Sequence, residues 1–265
     1  MRTRWVITAA LAIWLPGLTL TAQARNSTAQ ASTPPTTTLV VAEQADQLLK
    51  QMAAYIGSAE HFTFHADITF DHLLPSGQKL QYSSSEDVAL QRRGRLYVEW
   101  TGDLGDRRFW YDGKFVTLVD PSMPFYASEA APPDRDAMLE KTVAQLGFTP
   151  PLVDFFYREP YPGLRRDVQF GVYLGMTEVN GRNCHSLAFV NKDIDWQIWI
   201  DPGPQLVPCK LIITYKTQPE QPQFSAVFTD WDFSPRIAES IFTPDLPAGA
   251  ERIPFAPVVA NADAK

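Results

Sequence analysis

From His61 to Phe70 the chain alternates strictly: Phe62, Phe64, Ala66, Ile68 and Phe70 share one parity, and His61, Thr63, His65, Asp67 and Thr69 share the other. Successive side chains of a strand point to opposite faces, so this stretch predicts a strand with one dry and one wet face. Such a strand needs partners. Pro75, Ser76 and Gly77 turn the chain into residues 79–90 as a hairpin partner. Further strands are expected over 95–101, 107–111, 114–120 and 125–128, with Asp112-Gly113 as the sharpest hairpin signal. After an interval they resume over 172–179, 183–190, 195–201, 207–216 and 224–233. The expected fold is mainly β within the α+β class, a single antiparallel sheet of about eleven strands. With 22 Pro and 14 Gly, the chain is also unsuited to coiled coils or helical solenoids.

A sheet with one dry face must cover it, and two segments offer covers. Val41, Ala45, Leu48, Leu49, Met52 and Ile56 fall on one face of a helix, with Gly57 placed to end it. The interval between the strand runs holds a second helix, in which Met138, Leu139, Val143 and Leu146 follow Pro133 and Asp134 and Gly147 closes the element. A short apolar piece comes after it over 152–157.

The two ends read differently. Arg2 and Arg4, an uncharged apolar run over 5–20 and the small residues Ala22 and Ala24 predict a secretory signal over 1–24, cleaved after Ala24. The protein is then expected in the periplasm, without a membrane anchor of its own and without acylation, since no Cys lies at the cleavage point. Residues 25–38 and 256–265 are expected to be a disordered linker and tail around a single folded domain over 39–255. Loss of Arg2 and Arg4 takes the formal charge from -7 to -9. No basic stripe remains to release counterions from nucleic acid, and an anionic body gains nothing from an anionic lipid surface.

Candidate chemistry is sparse. His61, His65 and His72 cluster with Asp67 and Asp71, but four residues of strand span about 13 Å, too far for two imidazoles to share one ion. No Gly-x-Ser-x-Gly turn, phosphate-cradling loop, dinucleotide fingerprint or Cys-x-x-Cys motif occurs. Cys184 and His185 are adjacent on a strand and point to opposite faces. The acid pairs Asp230 with Asp232 and Asp193 with Asp195 stand about 7 Å apart, within the range that glycosidases use. They keep open an envelope hydrolase that works with a carboxylate or His in a cleft. No catalytic residue, metal or cofactor is assigned. Cys184 and Cys209 are expected to stay unbridged, because a meander puts their strands about 9.6 Å apart with the thiols on opposite faces, although a bulge at Pro208 would shift that parity.

What stands out is apolar surface: 7 Trp, 9 Tyr and 16 Phe. The dry-face residues Phe62, Phe64, Ile68, Phe70, Trp196, Ile198, Leu211, Ile213, Phe224 and Phe228 exceed what two helices can cover. The remainder is expected to line a cavity for an acyl chain or another apolar ligand. Beside this carrier stand two other readings, the hydrolase above and a structural protein whose core is filled solid.

Several strings resemble one family. They are Tyr111-Asp112-Gly113-Lys114 before an aliphatic strand; Pro151-Leu152-Val153-Asp154; Cys184 to Phe189; Asp195 to Ile200; Pro208 to Thr214; and Pro247-Ala248-Gly249-Ala250 before Ile253. Over about residues 40 to 255 the chain is similar to a bacterial family of predicted periplasmic proteins, grouped by fold with the LolA- and LolB-like lipoprotein-localisation carriers. The resemblance implies an unclosed antiparallel β-barrel with helices over its mouth and an apolar cavity within. By analogy with the carriers, the expected partner is an apolar ligand or a lipidated protein, with room for an envelope protein as a second partner. The carriers' cavity arginine has five candidates here, Arg92, Arg93, Arg95, Arg107 and Arg108, and none is assigned.

Overall fold

The computed structural model describes residues 40–91, 94–146 and 151–255; the expected signal, linker and tail, and Gly147, lie outside them. A helix α1 (Glu43–Ser58) precedes strands β1 (His61–Leu73), β2 (Lys79–Gln91), β3 (Arg95–Gly102), β4 (Arg107–Tyr111), β5 (Phe115–Val119) and β6 (Phe125–Ala130). An insert follows, made of α2 (Arg135–Gln145), a 3-10 turn (Val153–Phe156) and α3 (Pro160–Arg165). Strands β7 (Phe170–Val179), β8 (Arg182–Val190), β9 (Ile194–Ile200), β10 (Pro208–Tyr215), β11 (Gln223–Asp232) and β12 (Glu251–Ile253) complete the chain.

All twelve strands form one sheet in the order β12-β6-β5-β4-β3-β2-β1-β11-β10-β9-β8-β7, so β12 and β7 are edges and the sheet is unclosed. The eleven expected strands are present. The twelfth is a three-residue strand that pairs parallel to β6, while every other neighbour is antiparallel. Two meanders are joined where β1 meets β11, with Ile68 opposite Ala226 and Phe70 opposite Phe224.

The dry parity of β1 packs as its alternation requires, with Phe62, Phe64, Ala66 and Ile68 buried. Two helices and the 3-10 turn cover that face. From α1 come Ala45, Leu49, Met52 and Ile56, and from α2 Met138 and Leu139. The turn delivers Phe155 and Phe156, which meet Phe228 at 5.6 Å and Phe64 at 6.5 Å between ring centroids. Helix α2 starts where the sequence says, with the Asp134 carboxylate accepting from Ala137 N at 3.0 Å. Helix α1 is tied to α3 by Asp46, which accepts from Arg165 Nε and from the Tyr161 hydroxyl, each at 2.8 Å.

Gly57 does not end α1, which runs on to Ser58. Its missing side chain instead serves a close approach, because a Cβ there would sit 2.6 Å from the Arg158 carbonyl oxygen just ahead of α3. Gly57→Ala improves helix propensity by about 1 kcal/mol but forces two backbones apart at about 1–3 kcal/mol. The expected net effect is a loss of about 1 kcal/mol, read as a lower melting temperature; a gain would show that the packing yields freely.

Cys184 and Cys209 are joined in a disulfide, with Cα atoms 7.0 Å apart, which corrects the expectation of free thiols. The reason is local. β9 ends at Ile200, opposite His185 and Pro208, so Cys184 lies beyond the strand that should have separated the pair. Register then slips by one residue, since Pro208 pairs with Ile200 and Lys210 with Trp199, leaving Cys209 as the extra residue of a bulge. The slip reverses the parity of Cys209 and brings both thiols to the same face. There they are buried with Val179 against Trp199 and Val227, apart from the main core.

Candidate functional site

Register explains where the dry face is hollow. One row of side chains across the sheet reads Gly102, Ser84, Ile68, Ala226, Leu211 and Ile198. Three of these six are Gly, Ser or Ala, so the row is low. The adjacent row, Tyr82, Phe70, Phe224, Ile213 and Trp196, is tall. The strand pattern alone cannot fill such a step. The insert bridges it with Leu152, held in the left-handed region at φ 56°, a conformation that a non-glycine residue keeps only when its surroundings hold it there.

Beneath this bridge lies an apolar cavity of about 360 Å³, walled by Leu152, Phe155 and Leu164 from the insert and by Leu211, Ile213, Tyr215 and Phe224 from β10 and β11. Its polar groups are the Asp154 carboxylate and the Tyr215 hydroxyl. Desolvation by surrounding protein raises the pKa of Asp154, which Arg166 partly offsets. A neighbouring cavity of about 290 Å³ is lined by Phe70, Ser84, Trp100, Leu104 and Arg107, the last being one of the five candidate cavity arginines. Pro151 lines both.

The ten dry-face residues divide accordingly. Leu211, Ile213 and Phe224 line the first cavity and Phe70 the second. Phe62, Phe64, Ile68, Trp196, Ile198 and Phe228 are buried in the packed core. Sequence reasoning did not single out the insert's contribution, Leu152, Phe155 and Leu164. Leu152 and Phe155 belong to an apolar piece too short to have a period, and Leu164 stands alone in a six-residue helix.

Glu86 also went unremarked, although its parity places it on the dry face between Ser84 and Val88. It is completely buried, and Trp100 Nε1 donates to its Oε2 at 2.8 Å. Oε1 has no hydrogen-bond partner among the described residues. Desolvation holds this carboxyl well above the usual range, against the pull of the Trp100 bond, and Asp87 adds to the rise.

The other titratable candidates are paired with neighbouring side chains or backbone. His65 Nδ1 lies 2.8 Å from Asp87 and its Nε2 lies 3.5 Å from Asp67. Burial opposes its protonation, but the two carboxylates outweigh that and raise its pKa. Among the described residues no group of three or more His, Cys, Asp or Glu could hold a metal ion. His185 Nδ1 pairs with the Tyr173 hydroxyl at 3.1 Å. Asp195 pairs with Lys216 at 2.8 Å, and Asp232 accepts from Ser234 N. A bulge separates Thr229 from Asp232, with Asp230 at φ 54°, so Asp230 and Asp232 do not keep simple same-face spacing.

A family model described as predicted periplasmic protein (DUF2092) matches residues 45–256. No curated protein matches the chain. Among solved structures, the lipoprotein LppX from Mycobacterium tuberculosis is similar at 9% identity and TM-score 0.41, over 72% of this chain and 96% of that one. A LolA superfamily protein from Nitrosomonas europaea is similar at 11% identity and TM-score 0.40, over 76% and 98%. An uncharacterized conserved protein from Thermus thermophilus is similar at 8% identity and TM-score 0.47, over 80% and 99%.

Proposed function

The chain belongs to the DUF2092 family of predicted periplasmic proteins, and on that premise we propose that it is a periplasmic binding or carrier protein for an apolar ligand. The ligand, a lipid or the acyl chain of a lipoprotein, lies against the dry face of the sheet beneath the insert. The observation that carries this reading is the cavity of about 360 Å³ between the insert and β10–β11, with apolar walls. Its volume lies near the lower end of about 300–1,000 Å³ that small-molecule sites occupy. Asp154 has no second acid or His beside it in this lining, whereas a more polar concavity of about 620 Å³ carries Asp167, Lys192 and Asp193 and is the place where the hydrolase reading would have to work.

At about 25 cal/mol per Å², an acyl chain burying a few hundred Å² gains several kcal/mol before the costs of association, so the net affinity is expected between millimolar and micromolar. Ile213→Glu sets a charge in the cavity wall at a position that is only partly buried. It is expected to weaken uptake of a fluorescent fatty-acyl probe by more than about tenfold while the circular dichroism spectrum holds. Ile198→Glu, at a fully buried position, is expected to unfold the protein. Undiminished uptake by folded Ile213→Glu would place the ligand elsewhere.

A further inference from the structure

The cavity is apolar on most sides and carries one formal charge. Among its described lining residues there is no Lys, Arg or His, and Asp154 stands alone with the Tyr215 hydroxyl. Asp154 is the second residue of the 3-10 turn, is exposed to solvent and makes no hydrogen bond or ion pair with a described residue. Arg166 acts on it only from beyond ion-pair distance and does not line the cavity. The Tyr215 hydroxyl likewise has no partner among the described residues. Asp154 is solvent-exposed and Tyr215 half-buried, and the protein packed around them raises the pKa of each. Free acceptors in a partly desolvated site gain more from an incoming donor than they would in bulk water, and they repel an incoming anion more strongly. An acidic body of formal charge -7 adds to the same bias.

We propose that Asp154 selects the polar end of the ligand, so that the cavity takes an alkyl or acyl amphiphile with an ammonium head and turns away one with a carboxylate head. This rests on reading the cavity as the ligand site. The chain lies along Leu211, Ile213 and Phe224, and the head stops at the lip, where its N–H groups donate to the Asp154 carboxylate and to the Tyr215 oxygen.

The test is displacement of the uncharged reporter N-phenyl-1-naphthylamine from the protein by dodecylammonium, dodecanol and dodecanoate, at about pH 7 and about 0.15 M salt, where long-range surface attraction is screened. Dodecylammonium is expected to displace the reporter at a concentration at least about tenfold below dodecanoate, the scale of a charge-assisted hydrogen bond. Asp154→Asn should shrink that ratio to within about threefold, and Asp154→Lys should reverse it. Glu60→Gln, which removes the same charge away from the cavity, should leave the ratio unchanged. If Asp154→Asn keeps the wild-type ratio, or Glu60→Gln shrinks it equally, the head group is not read by Asp154 and the inference falls while the cavity stands. If dodecanol fails to displace the reporter from wild type, the cavity reading itself falls and takes the inference with it. Asp154 has no described partner to lose, so its variants should fold, and Asp154→Ser repeats the neutral arm.

Discussion

Cys209→Ser is expected to lower the stability of the folded chain by about 3 kcal/mol, the scale of a bridge that closes a loop of this size. The two cysteines are 25 positions apart in sequence. The bridge therefore removes loop entropy from the unfolded chain, and it ties β8 to β10 around the end of β9. Cys209 is also buried, in an apolar cluster with Val179, Cys184, Trp199 and Val227. A serine hydroxyl there finds an apolar neighbourhood and adds its own desolvation cost. Urea unfolding of the variant and of wild type with a strong thiol reductant should both show a lower midpoint, with a somewhat steeper slope because the unbridged unfolded chain is less compact. Midpoints equal to oxidised wild type would mean that the bridge constrains nothing. A bridge of this worth suits an oxidising compartment such as the periplasm. Because β10 also carries Leu211 and Ile213 into the cavity wall, the bridge holds the register on which that wall depends.

The parts of the fold that follow from side-chain period were legible in the sequence, and the parts that follow from interruptions of period were not. The alternation from Phe62 to Phe70 fixed which face of β1 would be dry, and the turn residues set the hairpins on either side. The disulfide was missed because parity counting assumes an unbroken ladder, and the bulge at Cys209 inserts one residue into it. Strand β12 was missed because three residues cannot display a period, and its partner β6 lies more than a hundred residues away. Gly57 was misread because a helix-ending glycine and a close-packing glycine look alike until the neighbouring backbone is known. The cavity follows the same logic. Leu211, Ile213 and Phe224 came from strand parity, but the low row of Gly102, Ser84 and Ala226 emerges only when separate strands are brought into register. Glu86 is different: its parity on β2 is readable beside Ser84 and Val88, but a carboxylate carries no apolar signal to mark its side as dry.

Glu86→Gln is expected to match wild type near pH 4 and to exceed it by more than about 1 kcal/mol near pH 8. The argument is one of proton linkage. Burial raises the folded-state pKa of Glu86 above the ordinary value of 4.5, so below that value the carboxyl is protonated both in the folded and in the unfolded chain. As pH rises past it, the unfolded chain releases this proton while the folded chain keeps it. The folded state then binds more protons than the unfolded state, and stability falls with pH by up to about 1.4 kcal/mol per pH unit until Glu86 ionises within the fold. The sign is opposite to that of a carboxylate in an ion pair, which is stabilising above its unfolded pKa. Glutamine has the same shape and no proton to lose. Its carbonyl can accept from Trp100 Nε1 as Oε2 does now, and its amide takes the place of Oε1, which has no described partner in either case. Asp87 and every other titrating group remain in both proteins, so their shared contributions largely cancel in the difference. Thermal or urea unfolding of the two proteins between about pH 4 and about pH 8 should therefore give curves that coincide in acid and separate as pH rises. Parallel curves across the range would mean that Glu86 titrates in the fold as it does in water, and would overturn the placement of its carboxyl in the dry interior.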